Sequence, residues 1–402
     1  MHIRQSILLA TTAAGLTCLI AASAAPVTAA GGHGRPASRG ITAKHPASRG
    51  TTAKHPAALG ALLSSVPVDA QSLAVAVDPT TSHTFVAGSS SITMLDSPSG
   101  DVVTTIPGGI GTDTYGAESG AVAVDSATGR AFVARFNANY VTVLDTTSGD
   151  VVRATQVSAG PGAVAVDART GRVFVTSFSA DAVSMLDART GVVRRTIAVG
   201  QAPDAVAVDT RTGHVFVANY GGNTVSMLDA TSGSLLATTA MTGGPSAVAV
   251  DELTGRAFVA NYDTGTVGVL DTRTGKAVGS VAVGLGPVAV AVDPLTNQVL
   301  VANLIGGSVS ILNALTGVVA HTVPVAQFPS ALAVDVATGY AFIANAGSNS
   351  VSVLDLRHAF VLRSVQVGNY PNAVAIDARG GRAFVANKGD GSVAVLNAAL
   401  GH

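Results

Sequence analysis

Residues 203–233 read Pro-Asp-Ala-Val-Ala-Val-Asp-Thr-Arg-Thr-Gly-His-Val-Phe-Val-Ala-Asn-Tyr-Gly-Gly-Asn-Thr-Val-Ser-Met-Leu-Asp-Ala-Thr-Ser-Gly, and a further apolar run begins at Ser234. Two landmarks of this stretch recur along the chain. The first is the Asp that closes Ala-Val-Ala-Val, found at Asp78, Asp125, Asp167, Asp209, Asp251, Asp293, Asp335 and Asp377. The second ends the Val-Leu-Asp run, at Asp96, Asp145, Asp187, Asp229, Asp271, Asn313, Asp355 and Asn397. From Asp125 onward the first landmark returns every 42 residues, which predicts a repeat fold of eight copies.

Each copy carries four strand signals. In the copy that begins at Pro203 they are Ala205–Val208 (strand a), Val215–Ala218 (b), Thr224–Leu228 (c) and Leu235–Ala240 (d). Val, Phe and Thr dominate these runs, and short Asp-to-Gly hairpins join a to b and c to d. A four-stranded antiparallel unit of about 40 residues, repeated many times, is typical of a propeller blade. We therefore predict an all-β fold, an eight-bladed β-propeller with four antiparallel strands per blade.

The two ends of the repeat region predict how the ring closes. Only five residues follow Asn397, so the last copy lacks a strand d. The run Leu62–Val68 precedes the first strand a and aligns with strand d of later copies. We expect this N-terminal strand to complete the last blade beside Val393–Leu396, which leaves no open sheet edge within the ring.

The N-terminal region differs in composition from the repeats. Residues 1–25 resemble a signal peptide, with Arg4 ahead of an apolar run and a small-residue cleavage site at 22–24; a membrane anchor is the alternative. Residues 26–60 are predicted to form a disordered basic linker, either a plain spacer or a tether to anionic envelope polymer. Residues 61–402 form the predicted propeller. No transmembrane span is expected after signal cleavage.

Charge and cysteine content exclude several classes of function. Six of the 23 basic residues and none of the 24 acidic residues lie in 1–56, so the rest of the chain has a net charge of −7. An acidic body lacks the basic stripe that nucleic acid requires. The single cysteine, Cys18, lies inside the signal segment, so the mature protein would have no disulfide. We expect a monomer that does not bind nucleic acid.

The stretch Phe-Val-Ala-Asn at 216–219, followed by Asn-Thr-Val-Ser-Met-Leu-Asp at 223–229 and a Thr-Ser-Gly turn, resembles the YVTN-type β-propeller repeat of bacteria and archaea. The resemblance recurs in all eight copies between about residues 61 and 397. It implies an extracytoplasmic protein, secreted or surface-layer associated. It implies no catalytic residue set, because that family carries none in common. WD40 proteins are excluded by the absence of Trp.

Candidate binding residues lie on one face of the predicted ring. In antiparallel blades the b–c loops and the d–a connections share a face, which we call the variable face because its sequence differs most between copies. In the b–c loops, four adjacent copies carry an aromatic residue and the next three do not: Phe136, Phe178, Tyr220 and Tyr262, then Leu304, Ala346 and Lys388. The long first connection adds Tyr115 and Glu118 to this arc. Such rings suit a sugar polymer or a protein partner; alternatively they only cover the neighbouring loop.

Residues that could line the central funnel are sparse. The position before Ala-Val-Ala-Val holds Leu73, Gly120, Gly162, Asp204, Ser246, Val288, Ser330 and Asn372, of which only Asp204 is charged. Asp204 and Asn372 are the candidates for contact with a ligand there. No His pair has metal-ligand spacing, so we predict no metal and no cofactor.

Three functions are compatible with these observations. The first is a secreted, non-catalytic propeller that acts as a binding scaffold at the cell surface or wall, with cell-wall polysaccharide or a surface protein as its candidate partner. The alternative is a lactonase- or quinoprotein-like enzyme that uses the central funnel. A purely structural wall component is the third. The weakly charged funnel ring favours the first over the second.

Overall fold

The computed structural model describes residues 58–69, 71, 74–107 and 119–400. These residues form the predicted eight-bladed, all-β propeller with four antiparallel strands in every blade. The predictions for the signal peptide, for most of the linker, and for Tyr115, Glu118 and Leu73 lie outside the described residues. Among the described residues, no helix is long and apolar enough to cross a membrane.

The strands are regular in length and follow the repeat. Strands a are β2 (Ala74–Asp78), β6 (Ser119–Asp125), β10 (Pro161–Asp167), β14 (Pro203–Asp209), β18 (Pro245–Asp251), β22 (Pro287–Asp293), β26 (Pro329–Asp335) and β30 (Pro371–Asp377). Strands b are β3 (His83–Ala87), β7 (Arg130–Arg135), β11 (Arg172–Ser177), β15 (His214–Asn219), β19 (Arg256–Asn261), β23 (Gln298–Asn303), β27 (Tyr340–Asn345) and β31 (Arg382–Asn387).

The two outer strands complete each blade. Strands c are β4 (Ser91–Asp96), β8 (Tyr140–Asp145), β12 (Ala182–Asp187), β16 (Thr224–Asp229), β20 (Thr266–Asp271), β24 (Ser308–Asn313), β28 (Ser350–Asp355) and β32 (Ser392–Asn397). Strands d are β5 (Val102–Pro107), β9 (Val151–Gln156), β13 (Val193–Ala198), β17 (Leu235–Ala240), β21 (Ala277–Ala282), β25 (Val319–Pro324) and β29 (Phe360–Gln366). Blade 1 is β2–β5, the later blades follow in chain order, and two single 3₁₀ turns, Phe178–Ala180 and Ala346–Ser348, lie in b–c loops.

The ring closes as the sequence predicts. Strand β1 (Leu62–Pro67) pairs antiparallel with β32 and takes the place of strand d in blade 8. Leu62 lies opposite Leu396, and Val66 lies opposite Val393. The chain is anchored slightly before this strand, because the N–H of Gly60 donates to the carbonyl of Asn397 at 2.7 Å. The first and last segments of the propeller therefore share one sheet.

The core lies between the blades, around one large residue per strand b. These residues are Phe85, Phe132, Phe174, Phe216, Phe258, Leu300, Phe342 and Phe384, and all are fully buried. Phe85 of blade 1 belongs to the same apolar cluster as Val122 of blade 2. Phe384 of blade 8 packs with Val86 of blade 1, so the cores continue around the ring. Burial of these side chains supplies the main cohesion between neighbouring blades.

The recurrent Asp residues shape the hairpins. At Asp167, one carboxylate oxygen accepts the N–H of Arg169 at 3.0 Å, and the other accepts the hydroxyl of Thr170 at 2.7 Å. The hairpin glycines adopt positive φ, for example +65° at Gly171. These Asp residues therefore satisfy turn backbone groups, as Asp does in short turns generally.

Strand a is longer than the sequence indicates. In blade 4 it runs over Pro203–Asp209 rather than Ala205–Val208. A register shift between Pro203 and Ala205 marks an irregularity of the bulge type, and the same shift occurs at the equivalent point in blades 5 to 8. Bulges redirect side chains. This one determines where Asp204 and its equivalents point.

Candidate functional site

The variable face is held together by hydrogen bonds between its two kinds of loop. The b–c loop of blade 4 contributes Asn223, whose side-chain oxygen accepts the N–H of Gly244 at 2.7 Å. The carbonyl of Gly244, in the connection from blade 4 to blade 5, accepts the N–H of Tyr262 at 2.8 Å. Equivalent side-chain clamps link Asn139 to Gly160, Asp181 to Ala202, and Asn349 to Tyr370. Each of these four d–a connections is thus fixed between two b–c loops, so the side chains there have a rigid support.

In the seven connections for which the structure describes it, one repeat position has left-handed backbone. The residues at this position are Gln71, Gly160, Ala202, Gly244, Gly286, Phe328 and Tyr370, with φ between +48° and +70°. Three of them are glycine, which adopts this conformation without steric cost. Phe328 and Tyr370 are large residues in a conformation that large residues rarely adopt.

Four rings of the predicted aromatic arc, those of Phe136, Phe178, Tyr220 and Tyr262, lie in consecutive b–c loops and are half-buried. Phe136 and Phe178 are in contact, with ring centroids 6.4 Å apart and ring planes inclined by 49°. The ring of Tyr220 lies so close to Gly244 that a β-carbon there would be 3.1 Å from Cε2. Tyr262 covers Gly286 in the same way, at 3.2 Å. The rings of the two tyrosines therefore do what the packing alternative describes: each covers the neighbouring connection.

Tyr220 also lies among acidic groups. Burial, Asp263 and Tyr262 raise the pKa of Tyr220 to about 12, and a hydrogen bond to Asp263 contributes to the shift. Burial and Asp263 likewise raise the pKa of Tyr262. Both phenols are therefore neutral hydrogen-bonding groups at physiological pH, and neither can act as a base there.

Asp204 is the most perturbed acid in the described residues. Its side chain is only 8% exposed, and burial raises its pKa to about 8. At neutral pH its carboxyl group is therefore mostly protonated, and it can donate a hydrogen bond.

The ring position of Asp204 faces the next blade. At the equivalent position, the Ser246 hydroxyl lies 3.0 Å from the carbonyl of Pro287 in the following blade. The Ser330 hydroxyl lies 2.9 Å from the carbonyl of Pro371 in the same relation. Asp204 and Asn372 occupy this position in blades 4 and 8, on opposite sides of the ring, and both are buried. Asp204 and Asn372 therefore occupy equivalent repeat positions, but the fold does not bring them into one site.

Other charged residues of the variable face serve the scaffold. The carboxylate of Asp181 accepts the N–H of Ala202 at 2.8 Å, and that of Asp390 accepts the N–H of Asn369 at the same distance. Arg135 is fully buried and donates to the carbonyl of Gly88 at 3.1 Å; burial lowers its pKa. The part of the chain that the structure describes contains no group of three or more potential metal ligands.

The exposed apolar side chains of the variable face lie outside the predicted aromatic arc. Leu285, Ile305, Phe328 and Tyr370 are 65%, 56%, 51% and 44% exposed, and they belong to the loops around blades 6 and 7. None of the four is in the predicted arc. The sequence does contain a signal for two of them, because Phe328 and Tyr370 replace the Gly or Ala found at the same repeat position in the three preceding connections.

Comparisons with known proteins support the fold. No protein-family model and no curated protein matches the chain. Among solved structures it is similar to Kuenenia stuttgartiensis hydrazine synthase, with a TM-score of 0.60 and 18% identity over 73% of this chain and 99% of that chain. It is also similar to the computationally designed Ika8 protein, with a TM-score of 0.66 and 17% identity over 83% of this chain and 99% of that chain. Likeness at such low identity establishes the β-propeller fold alone.

Proposed function

We propose that this protein is a secreted, non-catalytic β-propeller of the YVTN type that acts as a binding scaffold at the cell surface or wall. One observation carries the proposal: large apolar and aromatic side chains occur in loops of the variable face, and hydrogen bonds hold those loops rigid. Loops on a rigid scaffold are a common location of binding sites. The loop residues of this face can change without disturbing the cores between the blades, which suits the face to binding a specific partner.

The candidate partners are cell-wall polysaccharide and surface proteins. Both fit a face that combines aromatic rings with Asn and Gln side chains, because rings provide contact area and amides provide directed hydrogen bonds. Localisation rests on the signal-like residues 1–25, and the basic linker at 26–60 would extend the propeller from the envelope.

Export and envelope association can be tested together. Cells producing the full chain are fractionated, and the N-terminus of the mature protein is sequenced. We expect a mature chain that starts after residue 25 or shortly beyond it, found in the medium or bound to the wall. Purified protein should co-sediment with isolated wall material and not with wall material pre-saturated by the same protein. Recovery of the uncleaved chain in the cytoplasm, with no retention on walls, would overturn the proposal.

A second function is favoured by Asp204. A buried carboxyl group with its pKa near 8 can act as a general acid at neutral pH. An enzyme of the lactonase- or quinoprotein-like kind, working near the central funnel, would use such a group. The test is hydrolysis of a panel of lactones by the wild-type protein and by Asp204→Asn. Turnover that disappears in the variant supports this alternative, and the absence of turnover in both proteins removes it.

A further inference from the structure

One part of the variable face carries no charge. The loops and connections at 283–287, 303–308, 325–329, 345–350 and 367–372 contain no Asp, Glu, Lys or Arg. We call them the neutral half-face. Among the residues that the structure describes, the four most exposed apolar side chains of the variable face all belong to it: Leu285, Ile305, Phe328 and Tyr370. The opposite part contains Arg135, Asp181, Asp204 and Asp263. Lys388 and Asp390, in the b–c loop of blade 8, border the neutral half-face, and the carboxylate of Asp390 accepts the N–H of Asn369 at 2.8 Å. The four exposed apolar side chains therefore lie on the side of the face that has fewer charges.

The two aromatic rings of the neutral half-face are placed there against a backbone preference. Phe328 and Tyr370 both have φ of +53°, a value at which an ordinary side chain is strained. Gly160, Gly244 and Gly286 show that glycine satisfies the same position in three other connections. Strained conformations of this kind tend to occur where a side chain has a function. Because both residues occupy the same repeat position in adjacent connections, the backbone presents the two rings in equivalent ways.

The backbone that carries both rings is also held in place. The carbonyl of Phe328 accepts the N–H of Ala346 at 2.9 Å, and its ring lies against Gly347. The N–H of Tyr370 donates to the side chain of Asn349 at 2.9 Å, and the carbonyl of Tyr370 accepts the N–H of Lys388 at 3.0 Å. A ligand would therefore meet a surface that needs little ordering, which reduces the entropic cost of binding.

Amide side chains lie beside the rings. Gln327 and Asn369, each next to one of the aromatic residues, are exposed. The Asn349 amide donates to the Asn369 side-chain oxygen at 3.2 Å, which connects the loops of blade 7 to the connection toward blade 8. Amides can both donate to and accept from hydroxyl groups. Exposed rings with adjacent amides, and with only the oppositely charged Lys388 and Asp390 at their border, match the chemistry of a sugar chain that bears hydroxyls and no ionised groups.

We infer that the neutral half-face is a binding site for an uncharged polysaccharide, with Phe328 and Tyr370 stacking on the apolar faces of sugar rings and Gln327 and Asn369 contacting hydroxyls. The inference rests on the proposed function and specifies its ligand. The charges at the border of these loops, Lys388 and Asp390, are of opposite sign, so neither an anionic polymer nor a charged protein surface would find a net complementary charge there. Leu285 and Ile305 extend the apolar contact toward blade 6.

The test uses a double variant that the backbone favours. Phe328→Gly with Tyr370→Gly removes both rings and places glycine where φ is positive, so relief of backbone strain should offset part of the packing that is lost with the rings, and the variant should fold. The matched control is Ala202→Gly, which makes the same backbone change in a connection without a ring. Binding is measured by affinity electrophoresis and titration calorimetry with soluble β-glucan, mannan and amylose, and with polygalacturonate as an anionic polymer.

We expect the wild type and the control to bind at least one neutral polymer, and not polygalacturonate, and the double variant to lose tenfold or more in affinity. The inference is overturned if the double variant keeps its affinity, if only polygalacturonate binds, or if no neutral polymer is bound. In each of these outcomes, retention on whole wall material would still support the proposed scaffold function. Failure of the polysaccharide inference can therefore be distinguished from failure of the scaffold function. The single variants Phe328→Gly and Tyr370→Gly provide the same test should the double variant aggregate.

Discussion

The ring of Phe328 lies directly over Gly347, so that a β-carbon at Gly347 would overlap the ring edge. Gly347 belongs to the b–c loop of blade 7, and Phe328 belongs to the connection that enters this blade. In blades 4 and 5 the arrangement is reversed, because the rings of Tyr220 and Tyr262 come from b–c loops and cover glycines of the connections. In these three places one aromatic ring thus fills the space between a b–c loop and a d–a connection. The ring comes from the connection at Phe328 and from the b–c loop at Tyr220 and Tyr262.

This relationship predicts the effect of Gly347→Ala. The added methyl group must displace the Phe328 ring or the loop, and overpacking of this kind costs roughly 1–3 kcal/mol of unfolding free energy. Chemical denaturation measures the loss. If the neutral half-face binds polysaccharide, affinity should fall too, although no aromatic residue has been removed.

Gly279→Ala is the matched control for this experiment. Gly279 lies in the exposed strand β21, and a β-carbon built there meets no atom within 4 Å. Alanine in a strand is favoured over glycine by roughly 0.5–1 kcal/mol, so this variant should be as stable as the wild type or slightly more stable. Equal destabilisation of the two variants would contradict the steric explanation.

The fold was predictable because its determinants are local and repeated. The Asp landmarks, the large residue in each strand b (Phe in seven blades, Leu300 in blade 6) and the missing last strand d are all visible in the sequence, and closure through β1 follows from them. The side chain at position 204 was harder to place, because its direction depends on the bulge at Pro203, which no residue pattern shows. Its high pKa depends in turn on its burial in the folded protein.

The candidate site was predictable only in part. The sequence places Tyr220 and Tyr262 in b–c loops, as the structure shows, but the positions of their rings depend on how far each ring can reach toward Gly244 and Gly286. Exposure of Phe328 and Tyr370 depends on the left-handed backbone of the connections, which the sequence shows only as a place where glycine is replaced. The repeat determines the backbone position of a residue, whereas the direction of its side chain depends on the residues around it.

Asp204 should make the stability of the protein depend on pH. Its pKa is about 8 in the folded protein and near the ordinary value of about 4 in the unfolded chain. Between these pH values the folded state binds one more proton, so its stability falls as pH rises, by up to about 1.4 kcal/mol per pH unit. Below about pH 4 the group has no effect, and above about pH 8 the loss is complete. Urea denaturation from pH 5 to pH 9 measures this slope.

Two variants separate this effect from other titrations. Asp204→Asn should remove the slope and stabilise the protein at pH 8, because the amide is neutral at every pH tested. The converse change, Asn372→Asp, places a carboxyl group at the equivalent buried position of blade 8 and should introduce a similar slope. If the unfolding free energy of Asp204→Asn falls with rising pH as steeply as that of the wild type, Asp204 is not the group responsible.

The N-terminal strand should be essential for a closed ring. Deletion of residues 1–69 removes β1 and leaves the outer edge of β32 without its partner, along with the apolar side chains that β1 helps to cover. We expect aggregation, because an open strand edge beside exposed apolar surface pairs with other chains. Deletion of residues 1–57 alone keeps β1 and should leave a soluble, monomeric propeller. Size-exclusion chromatography compares the two, and a monomeric product of the longer deletion would argue against closure by β1.

The half-buried tyrosines should contribute to stability as well as to any binding. Tyr220→Ala with Tyr262→Ala uncovers Gly244 and Gly286 and removes the hydrogen bond between Tyr220 and Asp263. Half-buried rings lose less than the roughly 3–5 kcal/mol of a fully buried aromatic residue, so we expect a loss of about 1–2 kcal/mol for each. Tyr220→Phe keeps the ring and should cost only about 1 kcal/mol, the value of one hydrogen bond. Retention on wall material is measured beside thermal unfolding. A double variant that melts like the wild type and no longer binds walls would instead make the predicted arc of Phe136, Phe178, Tyr220 and Tyr262 the binding surface, in place of the neutral half-face.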